Sequence, residues 1–172
     1  MTFKTIDAIL SEHERATTLV RFLPLMDNDE SEVRELFMVR HLHQWCYQKD
    51  SKKTLNYKAN VRGFLKRYVI GLQVDNVDYM KSWRADVFEF RVQLEPRREN
   101  TRMFGAFVAP DKFVAFHQKP RSEFGGIGDP KWDAAIDRVL DEFVNLFPGH
   151  RPVPARPFSN CVTSNYFDVF EA

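Results

Sequence analysis

The sequence predicts an α+β fold in which an antiparallel sheet packs against helices. Residues 86–95, DVFEFRVQLE, alternate between apolar and polar side chains, as expected of a strand with one packed and one solvated face. Two further strand-like segments follow at 101–109 and 112–119, each after a turn signal. Residues 57–73 and 130–147 instead repeat apolar side chains at helical spacing, so that helices flank a three-stranded meander.

Composition places the chain among globular proteins. Its 172 residues are 44% hydrophobic and 28% charged, which is enough for one domain with a real core. No apolar run approaches the roughly 18 residues needed to cross a bilayer, and the N-terminus is too charged for a secretory signal. We therefore expect a cytoplasmic protein without a membrane partner.

Charge is distributed unevenly along the chain. The net charge is +1, but residues 57–121 hold 13 lysines and arginines against 7 acidic residues, and the remaining residues hold 12 against 17. A basic middle attracts polyanions, whereas acidic flanks weaken that attraction. An ordinary solvated surface with chance asymmetry explains the same numbers.

Metal and cofactor sites are not predicted. Cys46 and Cys161 have no CxxC partner and are expected to be free thiols. His41 and His43 are two positions apart, which places them on nearly opposite sides of a helix, and Cys46 alone cannot complete a site with either. The glycines at 125–128 lack the Lys-Ser/Thr ending of a phosphate loop.

The pattern divides the chain into three parts. Residues 1–56 are predicted to be a helical extension, with helical spacing at 3–26 and a second helix over 31–49 that begins at Ser31. Residues 57–147 form the core, with Gly105 marking a bulge or a close backbone approach and Asp129-Pro130 starting the last helix. Residues 148–172 are proline-rich and aperiodic, which predicts an extended or disordered arm. Because the arm ends in aromatic and acidic residues, one hypothesis is that it covers the basic sheet face of its own chain or of a neighbouring copy.

The three core strands also resemble a known family. The segments V-F-E-F-R-V, T-R-M-F-G-A-F and F-V-A-F-H-Q-K-P-R, preceded by a helix, are similar to the RelE/ParE/HigB toxin superfamily, especially its phage-derived branch. The resemblance covers roughly residues 57–145. It implies a RelE-like meander and a toxin of a toxin-antitoxin system, an endoribonuclease that cleaves mRNA without a metal or other cofactor. The implied partners are an antitoxin protein and RNA or the ribosome, and a homo-oligomer is possible in this family.

The resemblance also implies site residues. Metal-free RNA cleavage needs a proton acceptor, a proton donor and cations that stabilise the phosphorane. The positions matching catalytic groups of the family are Arg91, Arg102, His117 and Arg121, and those expected to bind substrate are Lys81, Arg84 and Lys119.

The chain departs from the family at two points. Glu89 stands where RelE itself has a lysine, and the tyrosine expected near the C-terminal end of the family's pattern is missing after Arg121. An alternative function is therefore a catalytically inactive RelE-fold protein that binds and inhibits a host or cognate protein, such as a phage-type inhibitor or a gyrase-directed toxin.

Overall fold

A computed structural model describes residues 4–48, 51–93, 100–126 and 128–169. The helices in these ranges are α1 (Ile6–Arg15), α2 (Arg40–Tyr47), α3 (Lys52–Val69) and α4 (Pro130–Leu146). The strands are β1 (Leu19–Arg21), β2 (Glu35–Val39), β3 (Val74–Asp75), β4 (Met80–Ser82), β5 (Val87–Val92), β6 (Thr101–Ala109), β7 (Lys112–Pro120) and β8 (Tyr166–Phe167). The fold is thus mixed α+β, as predicted.

One mostly antiparallel sheet of six strands organises the chain. Its order is β1-β2-β7-β6-β5-β4, and β3 pairs separately with β8. The predicted meander is confirmed, because β5, β6 and β7 pair in succession and antiparallel. Its strands begin and end within a few residues of the predicted limits.

The N-terminal secondary structure differs from the prediction. The helix predicted over 31–49 is wrong for its first half: residues 35–39 form β2, which pairs in parallel with β7, and α2 begins only at Arg40. Helical spacing at 3–26 also extends too far, because α1 ends at Arg15 and residues 19–21 form β1. Residues 19–39 therefore complete the same sheet as the meander instead of forming a separate helical layer.

Of the two predicted helix starts, Asp129-Pro130 is confirmed and Ser31 is wrong, because no helix begins there. Asp129 accepts a hydrogen bond from the backbone N–H of Lys131 at 2.9 Å, and Pro130 occupies the first turn of α4, as predicted. In α3, Ser51 accepts from the backbone N–H of Thr54 at 3.2 Å. Beyond the end of α3, Gly71 has a φ of +74°, a left-handed conformation that glycine adopts without steric cost.

Helices cover both faces of the sheet. Phe88 and Phe90 of β5 point to the α3 side, where Phe90 contacts Tyr68 and Phe64 edge to ring. On the other side, Phe104 of β6 packs against Trp132 of α4. The prediction of one solvated face is therefore wrong for β5, since five of its six residues are buried.

A bulge between β6 and β7 positions the residues under α4. Phe104 pairs with His117 but Gly105 pairs with Ala115, so Phe116 is an extra residue on β7. Both Phe116 and His117 contact α4. The role predicted for Gly105 is confirmed, because a Cβ at this position would lie 2.1 Å from the carbonyl oxygen of Val114.

The C-terminal segment packs on the α3 side of the sheet. Phe158, Cys161 and Val162 are fully buried, and the ring of Phe158 lies 6.1 Å from that of Phe88. In its described part, residues 148–169, this segment is mostly irregular but is not a disordered arm. The hypothesis that the arm covers the basic face stays a prediction. Most of the described segment packs on the α3 side, Arg156 lies beside Lys81 and Arg91 at the edge of the basic face, and residues 170–172 are outside the described residues.

A buried arginine, Arg34, links this segment to the core through hydrogen bonds. The guanidinium of Arg34 is completely buried and donates hydrogen bonds to the carbonyl oxygens of Leu72 at 2.9 Å and of Ser164. Its Nε lies 3.7 Å from Asp111 Oδ1. Arg34 thus joins the end of α3, the β6–β7 turn and the C-terminal segment.

Candidate functional site

The strand register brings most of the predicted site residues onto one sheet face. Arg91 lies opposite Arg102, which lies opposite Lys119, so the three form a row across β5, β6 and β7. In the neighbouring row, Lys81 lies opposite Glu89, and Phe104 separates Glu89 from His117. The face is the one that α4 partly covers.

Glu89 is the centre of a charged group on this face. Its Oε1 lies 3.5 Å from Arg91 Nε and 3.8 Å from Arg102 Nε, and its side chain is 1% exposed. We call Lys81, Arg91, Arg102 and Arg121, together with Glu89, the arginine cluster. Three of these cations, Arg102, Arg91 and Lys81, attract the Glu89 carboxylate, and Arg121 adds positive charge near Arg102, so positive charge is in excess.

Burial and charge oppose each other in the arginine cluster. Burial raises the pKa of Glu89, and the positive charges of Arg102 and Arg91 only partly offset that rise. Burial likewise lowers the pKa of Arg102, against the attraction of Glu89. A carboxyl group whose pKa is raised by burial is the kind of group that takes up a proton in catalysis.

Several polar atoms of the cluster are buried without a hydrogen bond. Within the described residues, Arg91 Nε and Arg102 Nε have no partner at hydrogen-bonding geometry, and Glu89 Oε2 has no well-aligned donor although the indole of Trp83 interacts with this carboxylate. Each such atom costs about 1–3 kcal/mol relative to its hydrated state. An unsatisfied buried polar atom needs an explanation, and a ligand or substrate that completes its hydrogen bonds is one.

A pocket of about 270 Å³ opens beside the cluster at the β4 edge of the sheet. Its described lining includes the side chains of Lys81 and Arg91 from the sheet and Arg156 from the C-terminal segment, with no carboxylate among them. Arg91 is held in place because its Nη1 donates to the carbonyl oxygen of Val77 at 2.6 Å. The pocket is therefore suited to an anion.

Arg84 and Arg121 are engaged by neighbouring structure. Arg84 is paired with Asp133 at 3.1 Å and with Asp137 on the outer face of α4. Arg121 donates from Nη1 to the carbonyl oxygen of Phe124 at 2.6 Å. Arg121 still contributes positive charge near Arg102, whereas Arg84 is neutralised by α4.

His117 lies under α4 and belongs to a different pocket. Its Nε2 is 3.0 Å from the carbonyl oxygen of Ala135, and its ring stacks on Phe104. Burial lowers the pKa of His117 to about 4, so the ring is neutral at pH 7. A second pocket of about 210 Å³ is lined by His117 and Lys119 but by no member of the arginine cluster.

A larger pocket of about 460 Å³ lies elsewhere, between the α1–β1 turn, the start of α2 and the end of α4. Its lining includes Thr17, Arg40, His41 and Asn145. None of its described side chains has a buried polar atom without a hydrogen bond. Size alone therefore does not make it the stronger candidate.

Comparisons with known proteins do not add to this picture. No protein-family model matches the chain. No curated protein and no solved structure matches it either.

The described residues contain neither a helix with the length and apolarity of a membrane span nor a group of three or more metal-ligating side chains.

Two residues of the site were not predicted as functional. Glu89 enters the sequence analysis as a departure from the family pattern, but its place between Phe88 and Phe90 on a strand also predicts that it shares a face with Arg91. Arg156 has no signal in the sequence, because it follows β4 by more than 70 residues in an aperiodic segment. Only the tertiary fold places it beside Lys81.

Proposed function

We propose that this protein is a RelE-like endoribonuclease that binds an RNA phosphate at the arginine cluster. The observation that supports the proposal best is the convergence of Arg91, Arg102 and Lys81 on one buried carboxylate, Glu89. Arg91 and Lys81 line the adjoining pocket, so a phosphate in that pocket meets both of them. The resemblance of the three core strands to the RelE superfamily points to the same substrate.

The proposed chemistry uses Glu89 in place of His117. The 2′-oxygen of the ribose attacks the adjacent phosphorus and transfers its proton to the Glu89 carboxylate. The bond to the 5′-oxygen breaks, and that oxygen takes a proton from Lys81, which leaves a 2′,3′-cyclic phosphate and a 5′-hydroxyl. Arg91 and Arg102 stabilise the charge that develops on the phosphorane.

A second candidate is a catalytically inactive protein of the same kind that binds and inhibits a host or cognate protein. The observation that favours it is the burial of the chemical groups, since Glu89 is 1% and Arg102 4% exposed. A partner would then meet the partly exposed cations of the cluster, Lys81, Arg91 and Arg121, rather than Glu89 or Arg102.

A cleavage assay separates the two candidates. Purified protein is incubated with labelled single-stranded RNA, and the products are tested for a 2′,3′-cyclic phosphate. The variants are Arg91→Gln and Glu89→Gln, with folding checked by circular dichroism. The matched control is Arg15→Gln, which removes an exposed arginine of α1 beside the opposite edge of the sheet.

The endoribonuclease predicts cyclic-phosphate products, a rate that falls by on the order of 100-fold in Arg91→Gln, and little change in the control. An RNA that stays intact contradicts it. Growth arrest on expression in bacteria, without RNA fragments and insensitive to Glu89→Gln, supports the second candidate instead.

A further inference from the structure

The pocket under α4 is chemically distinct from the arginine cluster. It is lined by the buried His117, by the cations Lys119, Lys131 and Arg138, and by Glu123, with Phe124 and alanines of α4 completing the wall. Its volume of about 210 Å³ is below the roughly 300–1,000 Å³ of pockets for drug-sized ligands. A ligand of this pocket must therefore be small, or must place only one of its ends in the pocket.

The hydrogen bonds of His117 define which of its nitrogens can accept. A carbonyl oxygen only accepts hydrogen bonds, so the 3.0 Å contact with Ala135 places the proton on Nε2. In a neutral ring, Nδ1 then carries a lone pair and can only accept. Burial keeps the ring neutral, because it lowers the pKa of His117 to about 4.

The Nδ1 atom is an acceptor without a donor. His117 is 3% exposed, and within the described part of the chain its Nδ1 makes no hydrogen bond. The imidazole borders the pocket and Nδ1 itself is enclosed, so a small shift of the pocket wall is required before an O–H or N–H group of a ligand can donate to it. This distinguishes the pocket from a group of lysines on an open surface.

The cations around the pocket favour an anion. Lys119 pairs with Glu123 at 2.9 Å, and Arg138 pairs with Glu142 at 2.8 Å, so each of these charges is partly neutralised. Lys131 donates from Nζ to the backbone carbonyl oxygen of Glu123 at 3.0 Å and keeps its full charge there. The net charge of the pocket lining is therefore modestly positive, and it lies beside the neutral acceptor His117 Nδ1.

We propose that this pocket binds a phosphate group in its protonated form, either free phosphate or a terminal phosphomonoester. Free phosphate carries a proton at pH 7, whereas a phosphomonoester, with a second pKa of about 6, takes up a proton from solvent when it binds. The anionic oxygens contact Lys131 and Lys119, and the P–O–H group donates to His117 Nδ1. Sulfate has the same shape and charge but no proton at pH 7, so the pocket discriminates between the two anions. The proposal is independent of RNA cleavage at the arginine cluster.

The test is calorimetric titration of the full chain with sodium phosphate and with sodium sulfate at pH 7 and equal ionic strength. Phosphate is expected to bind with 1:1 stoichiometry and about tenfold more tightly than sulfate, the effect of one additional hydrogen bond. Equal affinity for the two anions, or no binding of phosphate, overturns the proposal.

Two variants and a control test whether the preference for phosphate over sulfate arises at this pocket. His117→Gln keeps an amide donor near the position of Nε2 but removes the Nδ1 acceptor, so the preference for phosphate should disappear. Lys131→Gln changes an exposed residue and should weaken both anions without changing their ratio. Arg15→Gln is the control, and a similar loss in that variant would contradict a local site.

A spectroscopic measurement on the wild type does not depend on any variant being folded. With ¹⁵N-labelled histidine, phosphate should shift the Nδ1 resonance of His117 and leave the other histidines unchanged. An unaffected Nδ1 resonance at saturating phosphate contradicts the assignment.

The two sources of phosphate are separated by the titrant. A 5′-phosphorylated oligonucleotide that competes with inorganic phosphate, while its unphosphorylated counterpart does not, identifies a terminal phosphomonoester as a ligand. Competition by neither oligonucleotide identifies free phosphate. Competition by both assigns the binding to the nucleic-acid backbone and contradicts a site that requires the P–O–H group.

Discussion

Acidification should destabilise this protein through His117. Burial lowers the pKa of this ring from 6.5 to about 4, so between these values the unfolded chain binds a proton that the folded chain does not. Stability is therefore lost as the pH falls through this range. The complete effect is about 3 kcal/mol, of which about 2 kcal/mol falls between pH 7 and pH 5.

Glu89 acts in the opposite direction. Burial raises the pKa of Glu89 above its ordinary value of 4.5. The folded chain therefore holds this proton more tightly than the unfolded chain does. The stability that results is complete at a pH below the ordinary pKa and is lost as the pH rises through the folded-state pKa. The net pH dependence of the wild type is thus a sum of opposing contributions. Only a comparison with a variant isolates the part due to His117.

The assay is urea unfolding at pH 7 and at pH 5, followed by tryptophan fluorescence. Wild type should lose about 2 kcal/mol more than His117→Gln between the two pH values. The same substitution at the exposed His41 controls for removal of an imidazole. If His117→Gln and wild type lose the same free energy of unfolding, His117 is not a buried neutral ring and the reasoning fails.

Three other substitutions test the packing, each by urea unfolding at pH 7. Glu89→Gln leaves Arg102 buried without a counter-charge and should cost about 3–5 kcal/mol; a loss below about 1 kcal/mol would show that the pair is hydrated. Arg34→Met removes the hydrogen bonds that hold the C-terminal segment and should cost about 2–4 kcal/mol, whereas an unchanged midpoint would contradict that role. Gly105→Ala forces a Cβ into the carbonyl oxygen of Val114 and should cost about 1–3 kcal/mol or prevent folding; a fully stable variant would show that the two strands can separate there.

The meander and the two long helices were predictable because their signals are local. Alternation in β5, the Pro110-Asp111 turn and the Asp129-Pro130 cap each act within a few residues. These elements can therefore be predicted without knowing the position of distant parts of the chain.

The strand β2 could not be predicted in the same way. Its partner β7 lies more than 70 residues further along the chain, and both of its faces are covered, so its apolar residues do not alternate. The same residues, Leu36, Phe37 and Val39, fit one broad face of a buried helix. Pattern alone does not separate these two cases.

The site was predictable only in part. Arg91, Arg102 and Lys119 share a row because alternate residues on paired strands must do so, once the register is given. The sequence does not contain the position of α4, and α4 decides that His117 is buried and that Arg84 is paired with acidic side chains. Arg156 enters through the path of the C-terminal segment, which has no periodic pattern.

The salt dependence of RNA binding tests the proposed phosphate site most directly. The affinity of a labelled single-stranded RNA is measured by fluorescence anisotropy between about 50 and 200 mM salt, for wild type, Arg91→Gln and the control Arg15→Gln. Losing one phosphate contact should reduce the slope of log affinity against log salt by about 0.7 in Arg91→Gln and leave it unchanged in the control. An Arg91→Gln variant with wild-type affinity and slope would contradict phosphate binding at the arginine cluster.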